Sequence, residues 1–364
     1  MELALDTDQL ALRDVVREVI AAKCPPAFVR AVIEGRDDPS AWWATMVELD
    51  WPALAVEADA GGLGSTWIEL AILLEELGHA VDPSPYLATT TQFVPIIRHC
   101  GDAGQRDRWL RGVAAGTVTG ALALGASTVH AERSGDGWRL DGTCPNVVDA
   151  DRAVEIAVVA TTPAGAGVFV VDPAAAGATL AVAPVRAFDH TAHIANITLT
   201  GVTVDESRRL GGADVELGIS AATDEATLGW SVTTVGACQW ILDLTLEHVK
   251  QRRQFGVAIG SFQAVKHKLV DMYVTIERAR ALAQFAALTV VEHDSRRSNA
   301  VSMAKAAAGD CQELTVQHGV QLFGAMGFTW ENDLQIAIRR AKLGAPLFGT
   351  TSEHHRRLAR AVLL

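Results

Sequence analysis

Cysteine is scarce in these 364 residues: Cys24, Cys100, Cys144, Cys238 and Cys311 are all there are, and no two form a C-x-x-C pair. An odd, scattered set excludes a disulfide framework or a zinc ribbon and reads as reduced, mostly buried thiols of a cytosolic protein. Positive charge is short as well, with 31 Lys and Arg against 43 Asp and Glu and a formal net charge of −12. A surface of that sign repels polyanions, which excludes nucleic acid and anionic membrane as bulk partners. No apolar window is long enough to span a bilayer, and the opening M-E-L-A-L-D-T-D lacks the apolar core of a signal peptide. The expectation is a cytoplasmic protein. Internal repeats and low-complexity linkers are absent too. What remains is 49% hydrophobic and 20% charged, an ordinary globular composition on a chain long enough for two or three packed units.

The pattern changes character twice along the chain. Residues 1–117 read as helical, starting with a capping signal, Asp6 with Gln9, for a helix carrying Leu10, Val15, Val16 and Val19 on one side. Residues 42–49, the segment W-P-A-L-A-V, the turn-rich A-G-G-L-G-S and an apolar helix over 67–77 follow. From Thr117 to about residue 205 come short β-rich runs such as A-V-E-I-A-V-V-A, G-V-F-V-V-D and A-N-I-T-L-T-G-V-T-V. Gly, Pro, Asp and Asn separate them at intervals that suit an antiparallel sandwich or barrel. Helix returns from about 216. The predicted class is α+β: an N-terminal helical domain (1–117), a middle antiparallel β domain (118–215) and a C-terminal helical bundle (216–364).

Residues 252–263, R-R-Q-F-G-V-A-I-G-S-F-Q, sit between two long helical patterns. Leu228, Val232, Val235, Leu242, Leu246 and Val249 recur at helical spacing before them, and Val265, Leu269, Met272, Ile276, Ala279 and Ala283 after. Gly256 and Gly260 break the pattern, which predicts a helix end, a turn and an antiparallel return. This R-x-x-F-G-x-x-I-x-x-F-Q corner, with Q-L-F-G-A-M-G at 321–327 and the stretch 339–352, resembles the acyl-CoA dehydrogenase family. The helix–strand–helix order extends the resemblance over essentially the whole chain, and it implies that family's fold, with a C-terminal four-helix bundle.

In that family a carboxylate removes the α-proton of an acyl thioester while a hydride passes to FAD, and the flavin is shared between two subunits. By resemblance Arg252 meets the flavin diphosphate, Phe255 packs on the adenosine side, Gln263 hydrogen-bonds near it and Gln254 takes a small polar contact. Gln321 and Gly324 let the backbone approach the adenine end, and Ala325 replaces a frequent glycine. Taken alone, Arg252 is equally a solvated helix end and Gly324 a helix C-cap. Thr350 and Glu353 form a T-x-x-E capping box, and the N–H groups around Thr350 and Ser352 could face a flavin in either subunit.

The other half of the pattern is missing. Where the family has a T-E-P-x-A-G-S-D run this chain reads L-A-L-G-A-S-T-V-H-A-E-R, and Asn146 and Val148 stand at the positions of a flavin-facing Trp and Thr. Phe348 occupies the usual base position. The alternative base position falls on Ala226, leaving the neighbouring Glu225 as the one weak catalytic candidate. Arg339, Arg340, Lys342, Arg356, Arg357 and Arg360 read as a solvated helix face, with phosphate anchoring as the other reading. His354 and His355, about 100° apart on a helix, do not suit a metal. G-A-M-G-F-T-W-E at 324–331 resembles actinobacterial members acting on CoA thioesters of sterol side chains, which are heterotetramers with one flavin per heterodimer. The expectation is a subunit of an α2β2 acyl-CoA dehydrogenase with a homologous partner, using FAD and passing electrons to an electron-transfer flavoprotein or similar acceptor. A self-sufficient enzyme with Glu225 as base, or a flavin-free scaffold, remain the alternatives.

Overall fold

The structure, a computed structural model, describes residues 5–363. Helices α1 (Thr7–Lys23), α2 (Pro26–Ile33), α3 (Ser40–Glu48) and α4 (Trp67–Ala80) open the chain. α5 (Tyr86–Ala88), a π-turn (Thr89–Phe93) and α6 (Val94–Cys100) run on as one element, followed by α7 (Ala103–Ala114). Strands β1 (Gly120–Ala123), β2 (His130–Ser134), β3 (Gly137–Val148), β4 (Glu155–Thr162) and β5 (Gly165–Val171) come next. A short α8 (Pro173–Ala176), β6 (Leu180–Pro184) and β7 (Ile194–Asp205) complete the strand region. The long α9 (Val215–Gln251), the two-residue strands β8 (Arg253–Gln254) and β9 (Val257–Ala258), and helices α10 (Gln263–Val291), α11 (Arg297–Phe323), α12 (Leu334–Leu343) and α13 (Thr351–Leu363) end it. No described helix is long and apolar enough to cross a membrane.

The chain folds into two compact units, each assembled from separated stretches. One gathers residues 39–66 and 84–226, the other 5–38, 67–83 and 227–363. In the first, a seven-stranded sheet runs β1-β4-β2-β3-β7-β6 with β5 also on β4. The expected purely antiparallel sheet is corrected to a mixed one, because β1 lies parallel to β4 in the register Gly120↔Glu155 to Ala123↔Val158. Parallel pairing needs a crossover, and β2 and β3 supply it. Strand β2, H-A-E-R-S, escapes sequence reading since only Ala131 is buried. The inward face carries Leu140, Ile156, Val158, Phe169, Ile197 and Val202 around Trp138, whose ring lies 5.2 Å from that of Phe169.

In the second unit the capping box of α1 forms as predicted, Asp6 Oδ1 accepting from the Gln9 N–H at 2.8 Å and the Gln9 side chain reaching back. The buried side differs: Val16 and Ile20 point inward while Val15 and Leu10 are exposed. On α9 and α10 most of the predicted stripe is buried, Leu246 alone lying well exposed and Val265 and Leu269 part-covered. Helices α4 and α9 touch through their backbones. A Cβ on Gly236 would lie 2.0 Å from the Glu75 carbonyl oxygen, and one on Gly78 2.3 Å from that of Thr233. Neither oxygen can yield without parting the helices, so Gly236→Ala is expected to destabilise the fold by about 3 kcal/mol, the upper end for overpacking. A denaturation midpoint equal to wild type would show that the crossing is looser than this.

Candidate active-site elements

The corner at 252–263 is more ordered than a turn. After α9 ends, the Ile259 N–H donates to the Arg252 carbonyl at 2.8 Å, and β8 pairs with β9 in the register Arg253↔Ala258 and Gln254↔Val257. The two residues between them, Phe255 and Gly256, have φ of 52° and 83°, the geometry of a type I′ hairpin. Glycine adopts this readily; phenylalanine does so at a cost of order 1 kcal/mol. Phe255 is also 93% exposed, its ring set edge to face with that of Phe262 at a centroid distance of 6.3 Å. Arg252, Gln254 and Gln263 are exposed beside it, and no salt bridge holds Arg252 among the described residues. A strained aromatic, left in water next to an unpaired guanidinium, is suited to a flat anionic ligand.

The second motif ends α11. Gly324 has φ 63° and ψ −137°, a conformation essentially confined to glycine, and its Cβ direction is open space. The requirement is conformational, and it leaves the backbone bare. Gln321 and Ala325 are exposed on either side. His248, one turn before Arg252, stacks on Phe323, the residue preceding Gly324, with rings 4.2 Å apart and 16° from parallel. That contact brings the two motifs together, and sequence reading missed it. Burial, with Arg252 adding to it, pushes the His248 imidazole below its ordinary pKa, so the ring is neutral at pH 7.

The third element precedes α13. Its capping box is present: the Thr350 N–H donates to Glu353 Oε2 at 2.7 Å, and the Glu353 N–H to Thr350 Oγ1 at 3.3 Å. Ser352 is exposed in the first turn. Phe348 sits at φ 57° and its carbonyl accepts from His354 Nε2 at 3.0 Å. A carbonyl only accepts, so Nε2 carries the proton; Nδ1 is buried without a partner, which suits a neutral ring. Lys305, 3% exposed, donates to the Gly344 carbonyl at the other end of the same loop. Burial lowers its ammonium from 10.5 to about 7. Between those two values the unfolded chain binds the proton and the folded one does not. Stability is therefore expected to rise with pH from about 7 to 10.5, by at most about 1.4 kcal/mol per pH unit. Lys305→Met should flatten that rise in urea midpoints measured across the window; an unchanged slope would assign it to other groups.

In the other unit, Asn146 lies at φ 57° where the β3–β7 register shifts, its N–H donating to Asn196 Oδ1 at 3.0 Å. Val148 is buried in the sheet opposite Ile194. The hydroxyls of the L-A-L-G-A-S-T stretch are engaged within the sheet region, Ser127 Oγ with the Val159 carbonyl at 3.3 Å and the exposed Thr128 Oγ1 with Thr143. Glu225 is 1% exposed, and both its oxygens are taken: Arg98 Nη1 donates at 3.0 Å and His99 Nε2 lies at 2.6 Å. Despite burial, the Glu225 and Glu57 carboxylates hold the Arg98 guanidinium above its ordinary pKa. A carboxylate so engaged is a structural anion and a poor proton acceptor. Ala226 beside it is fully buried.

The basic cluster is not one solvated face. Arg340 is buried and donates to the Asp82 carbonyl at 2.8 Å, and Arg339 covers the Trp330 ring, while Arg356, Arg357 and Arg360 are exposed. No group of three metal-ligating side chains exists among the described residues.

Residues 6–117 match the acyl-CoA dehydrogenase N-terminal domain and residues 219–363 the acyl-CoA dehydrogenase C-terminal domain. The chain is 30% identical over 349 residues, 95% of each chain, to acyl-CoA dehydrogenase IpdE2 of Mycobacterium tuberculosis. In structure it is similar to the ChsE4–ChsE5 complex of Mycobacterium tuberculosis, with TM-score 0.91 and 25% identity over 100% of this chain and 99% of that one. It is likewise similar to a variant of the Tcur3481–Tcur3483 steroid ACAD, with TM-score 0.87 and 28% identity over 98% of each. Matches of that reach, at both ends of the chain and along its length, leave one assignment: this protein belongs to the acyl-CoA dehydrogenase family and is an FAD-dependent oxidoreductase.

Proposed function

We propose that this chain is one subunit of a heteromeric acyl-CoA dehydrogenase, donating the adenosine-side half of the FAD site while a homologous partner supplies the ring pocket and the base. The hairpin tip carries the reading. Phe255 is held at a strained φ and left 93% exposed beside Arg252, with a ring contact to Phe262 but almost no burial to offset the strain. A guanidinium forks onto phosphate, an aromatic face stacks on a purine, and the bare backbone at Gly324 admits close approach. Those groups fit the diphosphate and adenosine of FAD, which when bound accepts the hydride from the β-carbon.

The groups that the ring and the substrate need are wanting. Val148 has no hydrogen to donate, Ser127 and Thr128 are committed to strands, Phe348 cannot take a proton, and Glu225 is ion-paired. Helix α10 further presents Val270, Tyr273 and Val274 at i, i+3 and i+4, each more than half exposed, a stripe suited to a partner helix. The likeness to a two-component complex and to a steroid ACAD supports an α2β2 assembly acting on a bulky, steroid-type acyl-CoA, with an electron-transfer flavoprotein or similar acceptor.

Flavin absorbance tests this directly. Purified alone the chain is expected to be colourless, and yellow when co-purified with its homologous partner. Yellow colour in the lone chain would favour a self-sufficient enzyme, and no colour in any pairing a flavin-free scaffold.

A further inference from the structure

Helices α1, α4, α9 and α10 enclose a partly open cavity of about 770 Å³ within one unit. None of the cofactor candidates lines it. Interiors normally close around voids no larger than a water molecule, whereas this volume falls in the range of small-molecule sites. Two features keep it open. Its walls are cut back by alanines, among them Ala71, Ala283 and Ala287, where larger side chains would fill the space. And Arg280 acts as a strut, reaching from α10 to Glu75 on α4 at 2.8 Å and to Gln239 on α9 at 3.0 Å, with Glu277 as a further partner.

Ile20, Ile72, Val232 and Val235 give the wall its apolar surface, and Gln239 and Gln284 add amide groups to it. Most charged groups of the lining are already engaged: Arg17 with Glu76 at 2.9 Å, Asp243 with His79 Nε2 at 2.9 Å, and Arg280 with Glu75 and Glu277, while Arg13 lies 3.7 Å from Asp14 with its buried Nε free of any hydrogen bond. A charged ligand would lose its hydration against a wall whose carboxylates and guanidiniums are largely engaged with one another, whereas the Arg13 Nε–H is left to donate to a neutral oxygen. Fixed hydrogen-bonding groups on an apolar wall suit a different guest. We infer that this cavity binds a neutral lipid, an apolar body carrying a hydroxyl or carbonyl group, at a site separate from the flavin-dependent chemistry.

The test is a titration of the purified protein, alone and in its complex, with the neutral solvatochromic dye Nile red, followed by competition. Saturable, blue-shifted binding is expected, displaced by 1-dodecanol at least ten times more readily than by dodecanoate or dodecylammonium. Ala283→Trp, and independently the milder Ala71→Leu, should weaken dye binding at least tenfold without altering circular dichroism. The inference is overturned by absence of saturable binding, by equal displacement with charged amphiphiles, or by full binding in a folded cavity-filled variant. Should both variants misfold, the charge selectivity of displacement still decides.

Discussion

Arg252→Ala in the assembled enzyme is expected to release FAD, its retention falling more than tenfold. A charge-assisted contact to phosphate contributes roughly 1.5–3 kcal/mol, and each 1.4 kcal/mol is about a factor of ten in affinity. Arg252 is exposed on the hairpin, with no salt bridge to lose among the described residues, so its removal should leave the fold intact and act on the ligand alone. Flavin content after desalting measures this; full occupancy would sink the shared-site reading. The companion substitution probes the other half. Phe348→Glu restores a carboxylate at the base position, while on the shared-site reading the ring pocket comes from the partner. No dehydrogenase activity is expected from that variant alone, and turnover by the isolated chain would overturn the assignment.

Glu225→Gln should separate stability from catalysis. The substitution removes one charge from a buried network and leaves Arg98 with Glu57 as its remaining carboxylate. Breaking a buried pair in this way costs about 3–5 kcal/mol. Turnover per bound flavin should stay close to wild type, whereas loss of a true general base costs about 10²–10⁴-fold. A drop of that size with an unchanged denaturation midpoint would return Glu225 to the catalytic role.

Much of this architecture is legible in the chain because its causes are local. The boxes Asp6–Gln9 and Thr350–Glu353 each close within three residues, so residue type and spacing suffice to place them. Helical spacing marks α9 and α10, and β-branched runs mark β4, β5 and β7, since each period reports which side of its own element is apolar. The hairpin proposed to meet the flavin reads from sequence for the same reason: Arg252 to Gln263 is one short corner.

Only the tertiary structure decided what those elements meet. Glu225 looks like a spare base until Arg98 and His99, more than 120 residues away, close on both its oxygens. Val15 and Val16 are interchangeable in composition, but the path of α4 beneath α1 buries one and exposes the other. The parallel pairing of β1 with β4 and the stack of His248 on Phe323 join residues whose neighbours in sequence carry no trace of the contact. Local hydrogen bonding and periodicity are properties of a single segment, readable in its letters. A partner's identity, and with it the charge, strain or cavity that two segments share, exists only once the chain has folded back to bring them within a few ångströms.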